Sequence, residues 1–578
     1  MRPDQFKFQD VFKQYSHDQD KAVSPEQTVA RFKHLLAQNK MDILDEIVRV
    51  DKGRLGIPVY FSVCGPEARA VIGNYKQMGK GATPAQSQAS AVMELAERFS
   101  LFSFYRNPDN FTRMPLSALK EPWMGFDQIA RSVGDTSEDL SVAAEFFGDL
   151  PLQWTWAYNL TENQAQMIPF NWFWTINQFN GSSAGNCNEE ALCQGICEVV
   201  ERHVSALISS NRIKPPQIRI DTIEDPVALE LIGKYRAAGI RLWLSDFTLD
   251  MGIPSIGALA WDPSTFPGKS EIVWTAGTMP SAAKALCRAL TEVAQLAGDF
   301  NSGGNYIASG LPKFQSLDAA DYVMTPEKSV DLACLPDLSD NNFRIEAENC
   351  IGALAERGMT TYVVDVRHPS LTIPAFYTIV PGTRFRERAA NSSVAMIVAK
   401  IIADTFSADQ ALGRLAHFNT RLPGKYFIHF YMGQIHLNQA SHQNALDCFN
   451  EALRYNPPAE DLASVYTYLG LCYKEMERYD AARQALEKAH HVDPERTDTL
   501  NLLGFCHYKL QAHDEAIACF EKLVAMDPSS AIDYANIASN YRAMGKKAEA
   551  IRYYKLALAL DSSIEFARDH LSQMGVET

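Results

Sequence analysis

Residues 180–203 read NGSSAGNCNEEALCQGICEVVERH. A Gly/Ser turn opens the stretch, and small and apolar residues then recur at helical spacing, which predicts a helix entered through a flexible turn. At about 100° per residue, Glu190, Glu198 and Glu201 project within about 80° of one another. Residues 79–98 repeat the design: Gly79-Lys80-Gly81 forms the turn, Pro84 opens the helix, and Ser90, Glu94 and Glu97 fall within about 60°. Both helices carry Glu-x-x-Glu-Arg, at Glu94–Arg98 and at Glu198–Arg202. A third helix, Ala282 to Gln295, sets Arg288, Thr291, Glu292 and Gln295 on one side. Strand-like runs at Ile57–Val63, Ile256–Trp261, Ile272–Ala276 and Thr361–Val366 lie between helical stretches. Residues 1–405 therefore read as a mixed α/β (α+β) domain with antiparallel pairing.

Taken singly, each acidic helix reads as a solvated face with intrahelical ion pairs, Glu94 with Arg98 being a good one. The recurrence of the pattern on separate, small and apolar helices, each behind a Gly-rich turn, points elsewhere. Carboxylates that converge repel one another until cations neutralise them. Oxygen ligands select hard ions, and Mg2+ above all where phosphates share the coordination. Arg202 and Arg288 can then meet phosphate oxygens through their fork of donors. The site is not of a common kind. Five residues separate Gly73 from Gly79 and Gly81 follows Lys80, which breaks the Walker pattern. The signature triplets of protein kinases are not found either.

At these residues the sequence resembles the YcaO family. The matching blocks are Gly79-Lys80-Gly81 with Ser90, Glu94, Glu97 and Arg98, then Ala184-Gly185-Asn186 with Glu190, Ala191, Glu198, Glu201 and Arg202. Arg288-Ala289-Leu290-Thr291-Glu292 with Gln295 follows, and Arg54-Leu55-Gly56-Ile57-Pro58-Val59 is similar to the family's N-terminal block. The resemblance implies a cleft in which glutamates hold Mg2+ against the triphosphate of ATP. It implies metal or triphosphate roles for Glu94, Glu97, Glu190, Glu198 and Glu201. Nucleotide contacts go to Lys80, Ser90, Asn186, Arg202, Arg288 and Gln295, and Glu292 serves either role. The implied reaction is ATP-dependent O-phosphorylation of a backbone amide in a peptide or protein, leading to an azoline, a thioamide or a related product. No general base is assigned. Two departures bear on this. Cyclising members end in a proline-rich tail, whereas this sequence ends Gly575-Val576-Glu577-Thr578, which leaves thioamidation or another target open. His203 stands where the family shows Asp, and is read as a packed helix histidine. A separate protein that presents the substrate or supplies sulfur is an expected partner.

From Tyr426 onward a 34-residue period governs the chain. Gly470, Tyr473, Ala482, Ala489 and Pro494 recur as Gly504, His507, Ala516, Leu523 and Pro528, and again as Ala538, Tyr541, Ala550, Ala557 and Ser562. Gly433, His436, Ala445, Ala452 and Pro457 precede them with three extra residues. Small residues where two helices cross, aromatics between them and a turn proline resemble the tetratricopeptide repeat. Four repeats over 426–578, closed by a segment Ile564–Met574, are expected behind a linker at 406–425. The array reads either as a holder of a peptide or another subunit, or as a packing and dimer surface, so a homodimer is expected. The alternative for the whole chain is an assembly or adaptor protein in which nucleotide gates what the repeats hold.

The bulk properties agree. A chain of 578 residues exceeds one core. A net charge of −15 argues against a nucleic-acid binder. Eleven cysteines without a framework spacing read as reduced thiols of a cytoplasmic protein. Neither a signal peptide nor a membrane-spanning apolar run is present.

Overall fold

The structure is a computed structural model that describes residues 6–51, 53–297, 300, 311, 313–386, 392–527 and 530–576. These form two compact units. The first holds the described residues up to Asp135 and those from Pro151 to Arg386; the second holds Thr136–Leu150 and the described residues from Ser392 onward.

The first unit contains three sheets. Leu44–Arg49, Val59–Cys64 and Lys76–Lys80 make an antiparallel meander. A five-stranded sheet runs in the order Val273–Thr278, Ser255–Trp261, Arg241–Asp246, Gln217–Ile218, Ser329–Val330. The third runs Thr112–Met114, Leu152–Asn159, Tyr362–Asp365, Ala375–Ile379, Ser182–Ala184, with Gln164–Pro169 also paired to Leu152–Asn159. Between these strands pairing is antiparallel, as expected, except for Ser329–Val330 with Gln217–Ile218, which are parallel.

An edge strand of each sheet leads into a long helix. Lys76–Lys80 leads into Pro84–Arg106, Ser182–Ala184 into Asn188–Asn211, and Val273–Thr278 into Ala282–Ala297; these are called here the first, second and third site helices. Each strand lies against the backbone of its own helix, and the sequence provides for it. A Cβ on Gly79 would fall 2.2 Å from the Ser87 carbonyl oxygen and 2.3 Å from the Ala91 nitrogen. One on Gly277 would fall 2.4 Å from the Ala285 oxygen. In the second pair the corresponding strand residue is Ser183, whose Oγ donates to the Ala191 oxygen at 2.8 Å. Such close approach leaves no room for a bulky side chain, which explains why the three helices begin so rich in small residues. The second helix is buried almost all round, with Leu192, Ile196, Val199, Val200 and Val204 in the main core beside Phe247, Trp274 and Phe376.

The second unit is helical. Four antiparallel pairs follow one another: Tyr426–Asn438 with His442–Arg454, Ala459–Glu475 with Tyr479–Val492, Thr497–Lys509 with His513–Met526, and Ala531–Ala543 with Lys547–Leu560. Glu565–Gln573 closes the run. Gly433, Gly470 and Gly504 stand where a Cβ would meet Phe449, Leu486 and Phe520 at 2.6, 2.5 and 2.8 Å, so each pair crosses at its glycine. Ala538 replaces glycine in the fourth pair and is fully buried.

The domain limits differ from the sequence reading in two ways. Residues 406–425, expected as a linker, contain the helix Ala408–Arg421, which buries Ala411, Leu415 and Phe418 along one face. The helix Val394–Thr405 and the segment Thr136–Leu150 belong to the helical unit rather than to the α/β unit. All eleven cysteines are free thiols. Among the described residues no helix is long and apolar enough to cross a membrane.

Candidate nucleotide and metal site

The three site helices are numerically alike. Each begins four residues after its strand ends: Lys80 to Pro84, Ala184 to Asn188, Thr278 to Ala282. The eleventh residue is a glutamate in all three, Glu94, Glu198 and Glu292, and the fourteenth is Glu97, Glu201 and Gln295. A side chain caps the helix start in two of them: Thr83 Oγ1 accepts from the Gln86 N–H at 3.2 Å, and Cys187 Sγ from the Glu190 N–H at 3.3 Å.

One acidic position of each helix reaches the edge strand of another copy, and the three links close a ring. Ser182 Oγ, from the second strand, donates to Glu97 Oε1 of the first helix at 2.6 Å. The N–H of Thr278, from the third strand, donates to Glu201 Oε2 of the second helix at 3.1 Å. Lys80, from the first strand, forms an ion pair with Glu292 of the third helix. Cross-links reinforce the ring. Arg98 donates to Glu94 Oε1 at 3.0 Å and to Ser182 Oγ at 3.1 Å. Arg288 donates from Nε to Glu201 Oε2 at 3.0 Å and from a terminal nitrogen to Gln194 Oε1 at 3.2 Å.

The electrostatics follow from crowding. Burial, with Glu94 next, pushes Glu97 well above the usual carboxylate range. Burial also raises Glu198, against the pull of Arg202 and Arg98. Glu94 is the most open of the set, its side chain 33% exposed, and although burial pushes it up, Arg98 brings it below the ordinary value. Burial and the neighbouring Arg288 pull the Lys80 ammonium down to about 7, with Glu201 and Glu94 opposing. Five carboxylates thus share a buried region with Lys80, Arg98, Arg202 and Arg288, and three polar atoms there lack a hydrogen-bond partner among the described residues: Glu198 Oε1, Arg202 Nε and Gln295 Oε1.

The cluster therefore unites Lys80, Glu94, Glu97, Glu198, Glu201, Arg202, Arg288 and Glu292. Ser90 is half-buried at the seventh position of the first helix, the place held by Gln194 and Arg288 in the other two. Glu190 and Asn186 have different company. Glu190 accepts from the Ala22 N–H at 2.8 Å and from the Asn186 amide at 3.1 Å, with Lys21 at 3.6 Å. Asn186 Oδ1 accepts from Thr28 Oγ1 at 3.0 Å. His203 is buried, its Nδ1 accepting from the Arg384 N–H at 3.0 Å, which agrees with a packed histidine. Reasoning from helix faces missed Ser182, Gln194, Lys21 and Thr28. Gln194 was legible, lying four residues from both Glu190 and Glu198 on one face; the other three come from outside the three site helices, Thr28 from the helix Pro25–Asn39, and nothing in their own sequence ties them to the acidic stripes.

The donor set fits a divalent cation and a phosphate chain. Hard carboxylate oxygens outnumber what the fold itself satisfies, and buried atoms of both signs are left without partners. Among the described residues no three acidic, His or Cys side chains are already gathered about one point; the carboxylates are divided among Lys80, Arg98 and Arg288 instead.

The family model for "YcaO cyclodehydratase, ATP- and Mg2+-binding" matches residues 78–384, more than half of the chain. Tetratricopeptide-repeat models match residues 473–541 and 534–564. An uncharacterized protein of Methanothermobacter thermautotrophicus is 28% identical over 382 residues, which is 62% of this chain and 94% of that protein. The Escherichia coli protein named ribosomal protein S12 methylthiotransferase accessory factor YcaO is 29% identical over 241 residues, 38% of this chain and 40% of that protein. Among solved structures, YcaO from Methanopyrus kandleri bound with AMPPCP and Mg2+ aligns with a TM-score of 0.50 at 24% identity, over 65% of this chain and 95% of that one. A heterocyclase in complex with substrate and cofactor aligns with a TM-score of 0.53 at 23% identity, over 66% of this chain and 55% of that one. The chain belongs to the YcaO family, with an ATP- and Mg2+-binding α/β domain followed by tetratricopeptide repeats.

Proposed function

We propose that this protein activates a backbone amide of a peptide or protein by ATP- and Mg2+-dependent O-phosphorylation, leading to a thioamide, an azoline or a related product. The observation that carries the reading is the ring of three strand–helix units whose glutamates meet in one buried cluster with orphaned polar atoms. Amide resonance makes the carbonyl carbon a poor electrophile and its oxygen a poor leaving group. Mg-ATP, when bound, supplies the phosphoryl group that gives this oxygen an exit.

The chain's own residues do the holding. Glu94, Glu97, Glu198 and Glu201 provide oxygen ligands, with Glu190 and Asn186 at the end of the site nearest Lys21 and Thr28. Lys80, Arg202 and Arg288 offset phosphate charge, while Ser90, Gln295 and Glu292 complete the polar lining. Catalysis of this kind rests on positioning and charge neutralisation rather than on a nucleophile of the protein. A nucleophile, sulfide or a neighbouring Cys, Ser or Thr of the substrate, adds to the amide carbon and yields its proton to a base, and the oxygen of the adduct takes the terminal phosphoryl group of ATP as ADP departs. The carbon–oxygen bond then breaks as phosphate leaves.

The repeats fit a role in holding the substrate or a second protein, and a homodimer is the expected assembly. The Escherichia coli relative is named as an accessory factor of a ribosomal-protein modifying enzyme, which supports a protein substrate and a separate partner. Two measurements test the proposal. Purified protein is expected to release phosphate from ATP only with Mg2+ present, and to lose this in Glu198→Gln. Mass spectrometry of cellular peptides, with and without the protein, is expected to show loss of one water or exchange of oxygen for sulfur. Nucleotide binding without turnover or any peptide product would favour the nucleotide-gated adaptor instead.

A further inference from the structure

We infer that Phe179, with the rings of Phe102, Tyr105 and Trp174, forms the wall along which the substrate peptide lies, and that this wall selects a peptide with an aromatic side chain close to the amide to be activated; the role rests on the amide-activation reading above. The first site helix carries the argument. At about 100° per residue, Glu94, Arg98, Phe102 and Tyr105 fall within about 80° of one another. The face that brings charged groups to the site therefore continues as a row of rings. From Phe99 to Tyr105 the helix has no charged residue. Phe102 and Tyr105 are half-buried, and Trp174 packs against both, edge-on to Phe102 at 5.5 Å and stacked on Tyr105 at 4.1 Å. Phe179 is 38% exposed, and the Arg98 guanidinium lies 4.4 Å from the centre of its ring. Arg98 in turn holds Glu94, the most open carboxylate of the site. The row thus starts at the accessible end of the cluster.

The turn that carries Phe179 is constrained on both sides. Gln178 has φ 50° and ψ −123°, a conformation that residues with side chains rarely adopt. Its carbonyl accepts from Tyr377 Oη at 2.8 Å, and the Phe179 carbonyl accepts from the Ser182 N–H at 3.1 Å. Gly181 has φ 91°, and a Cβ there would fall 2.3 Å from the Thr378 carbonyl oxygen. The fold gains little burial from a ring left so open, whereas a peptide laid against it covers apolar surface that begins at the reacting centre. The dimensions agree. From Glu94 to Tyr105 the helix rises about 16 Å, the span of about five extended residues. A peptide on this face can therefore set one amide at Glu94 and Arg98 while its flanking side chains meet rings. Contact of ring with ring adds to plain burial, and a charged side chain finds no counter-ion on residues 99–105.

Photo-cross-linking of the full chain, with AMPPCP and Mg2+ present, tests the wall. The probe is a capped pentapeptide of glycines with p-benzoylphenylalanine at its centre, and adducts are located by tandem mass spectrometry. Adducts are expected within residues 94–105 and 174–179. The same peptide with phenylalanine at its centre is expected to compete about fivefold better than one with leucine. Phe179→Leu keeps apolar bulk without the ring and is expected to lower the yield about fivefold, whereas Phe179→Tyr keeps the wild-type yield. The inference is overturned if adducts lie elsewhere, if Phe179→Leu stays within about twofold of wild type, or if the leucine peptide competes equally. A dimer that Phe179→Leu dissociates, with no adduct on this face, assigns the row to a second copy and overturns it as well. Calorimetry with AMPPCP on the same protein separates the two readings. Capture on this face by a chain that binds no nucleotide overturns the nucleotide reading and leaves the peptide wall. Nucleotide binding without capture overturns the wall alone, and absence of both overturns both.

Discussion

Glu198 and Glu201 stand one turn apart on one helix, are equally buried and are chemically identical, yet their replacement by glutamine is expected to act in opposite senses. Glu201 accepts from Arg288 and from the Thr278 N–H. Removing its charge leaves a buried guanidinium without its counter-ion, which costs about 3–5 kcal/mol. At about 2 °C per kcal/mol in a unit of this size, the melting point should fall by about 6–10 °C. Glu198 has an orphaned oxygen and a carboxyl raised by burial. Its ionised form therefore opposes folding, and Glu198→Gln should leave stability unchanged or raise it by about 1 kcal/mol at neutral pH. The sign follows from linkage. A carboxyl raised in the folded state holds its proton while the unfolded chain gives it up, so wild type loses stability as pH climbs above the ordinary value of 4.5. The advantage of the variant should accordingly vanish at acid pH, where both states are protonated. Both variants should lose Mg2+-dependent phosphate release, but only Glu201→Gln should do so with a weakened fold. Thermal and urea unfolding at several pH values, beside phosphate release, decides the matter. Equal destabilisation by the two substitutions would refute the argument, since it would mean that the fold wants the charge at Glu198.

Three further outcomes are expected. Gly79→Ala drives a methyl to within 2.2 Å of the Ser87 oxygen and 2.3 Å of the Ala91 nitrogen, both backbone atoms, so strand and helix must part; an unfolding free energy lowered by less than about 1 kcal/mol would contradict that geometry. Addition of AMPPCP with Mg2+ at a hundred times its Kd should stabilise the α/β unit by about 2.7 kcal/mol, and EDTA should abolish the effect in a thermal-shift assay. Gly504→Ala meets the Phe520 ring at 2.8 Å and should destabilise the helical unit by about 1–3 kcal/mol while AMPPCP affinity stays unchanged, as calorimetry can verify.

Much of the architecture lies open in the chain itself. Glutamates three and four residues apart share a helix face whatever surrounds them, because helix geometry is local. For that reason the carboxylate stripes of Glu94–Glu97 and Glu198–Glu201, and the 34-residue period of the repeats, can be read without coordinates. Capping turns and crossing glycines belong to the same class, being set by backbone sterics over a few residues.

Other features were decided only by tertiary packing. Nothing near Lys80 indicates that its partner is Glu292, and nothing near Glu97 points to Ser182, since each pair joins the edge strand of one sheet to the helix that follows the edge strand of another. Helix faces alone did not separate Glu190 from the other glutamates; the segment carrying Lys21 and Ala22 does so, by satisfying that carboxylate. The assignment of Thr136–Leu150 to the helical unit is of the same kind. Periodicity fixes which way a side chain leaves its own helix, whereas the groups it meets are fixed by burial of apolar surface over the whole chain, and that is settled by packing.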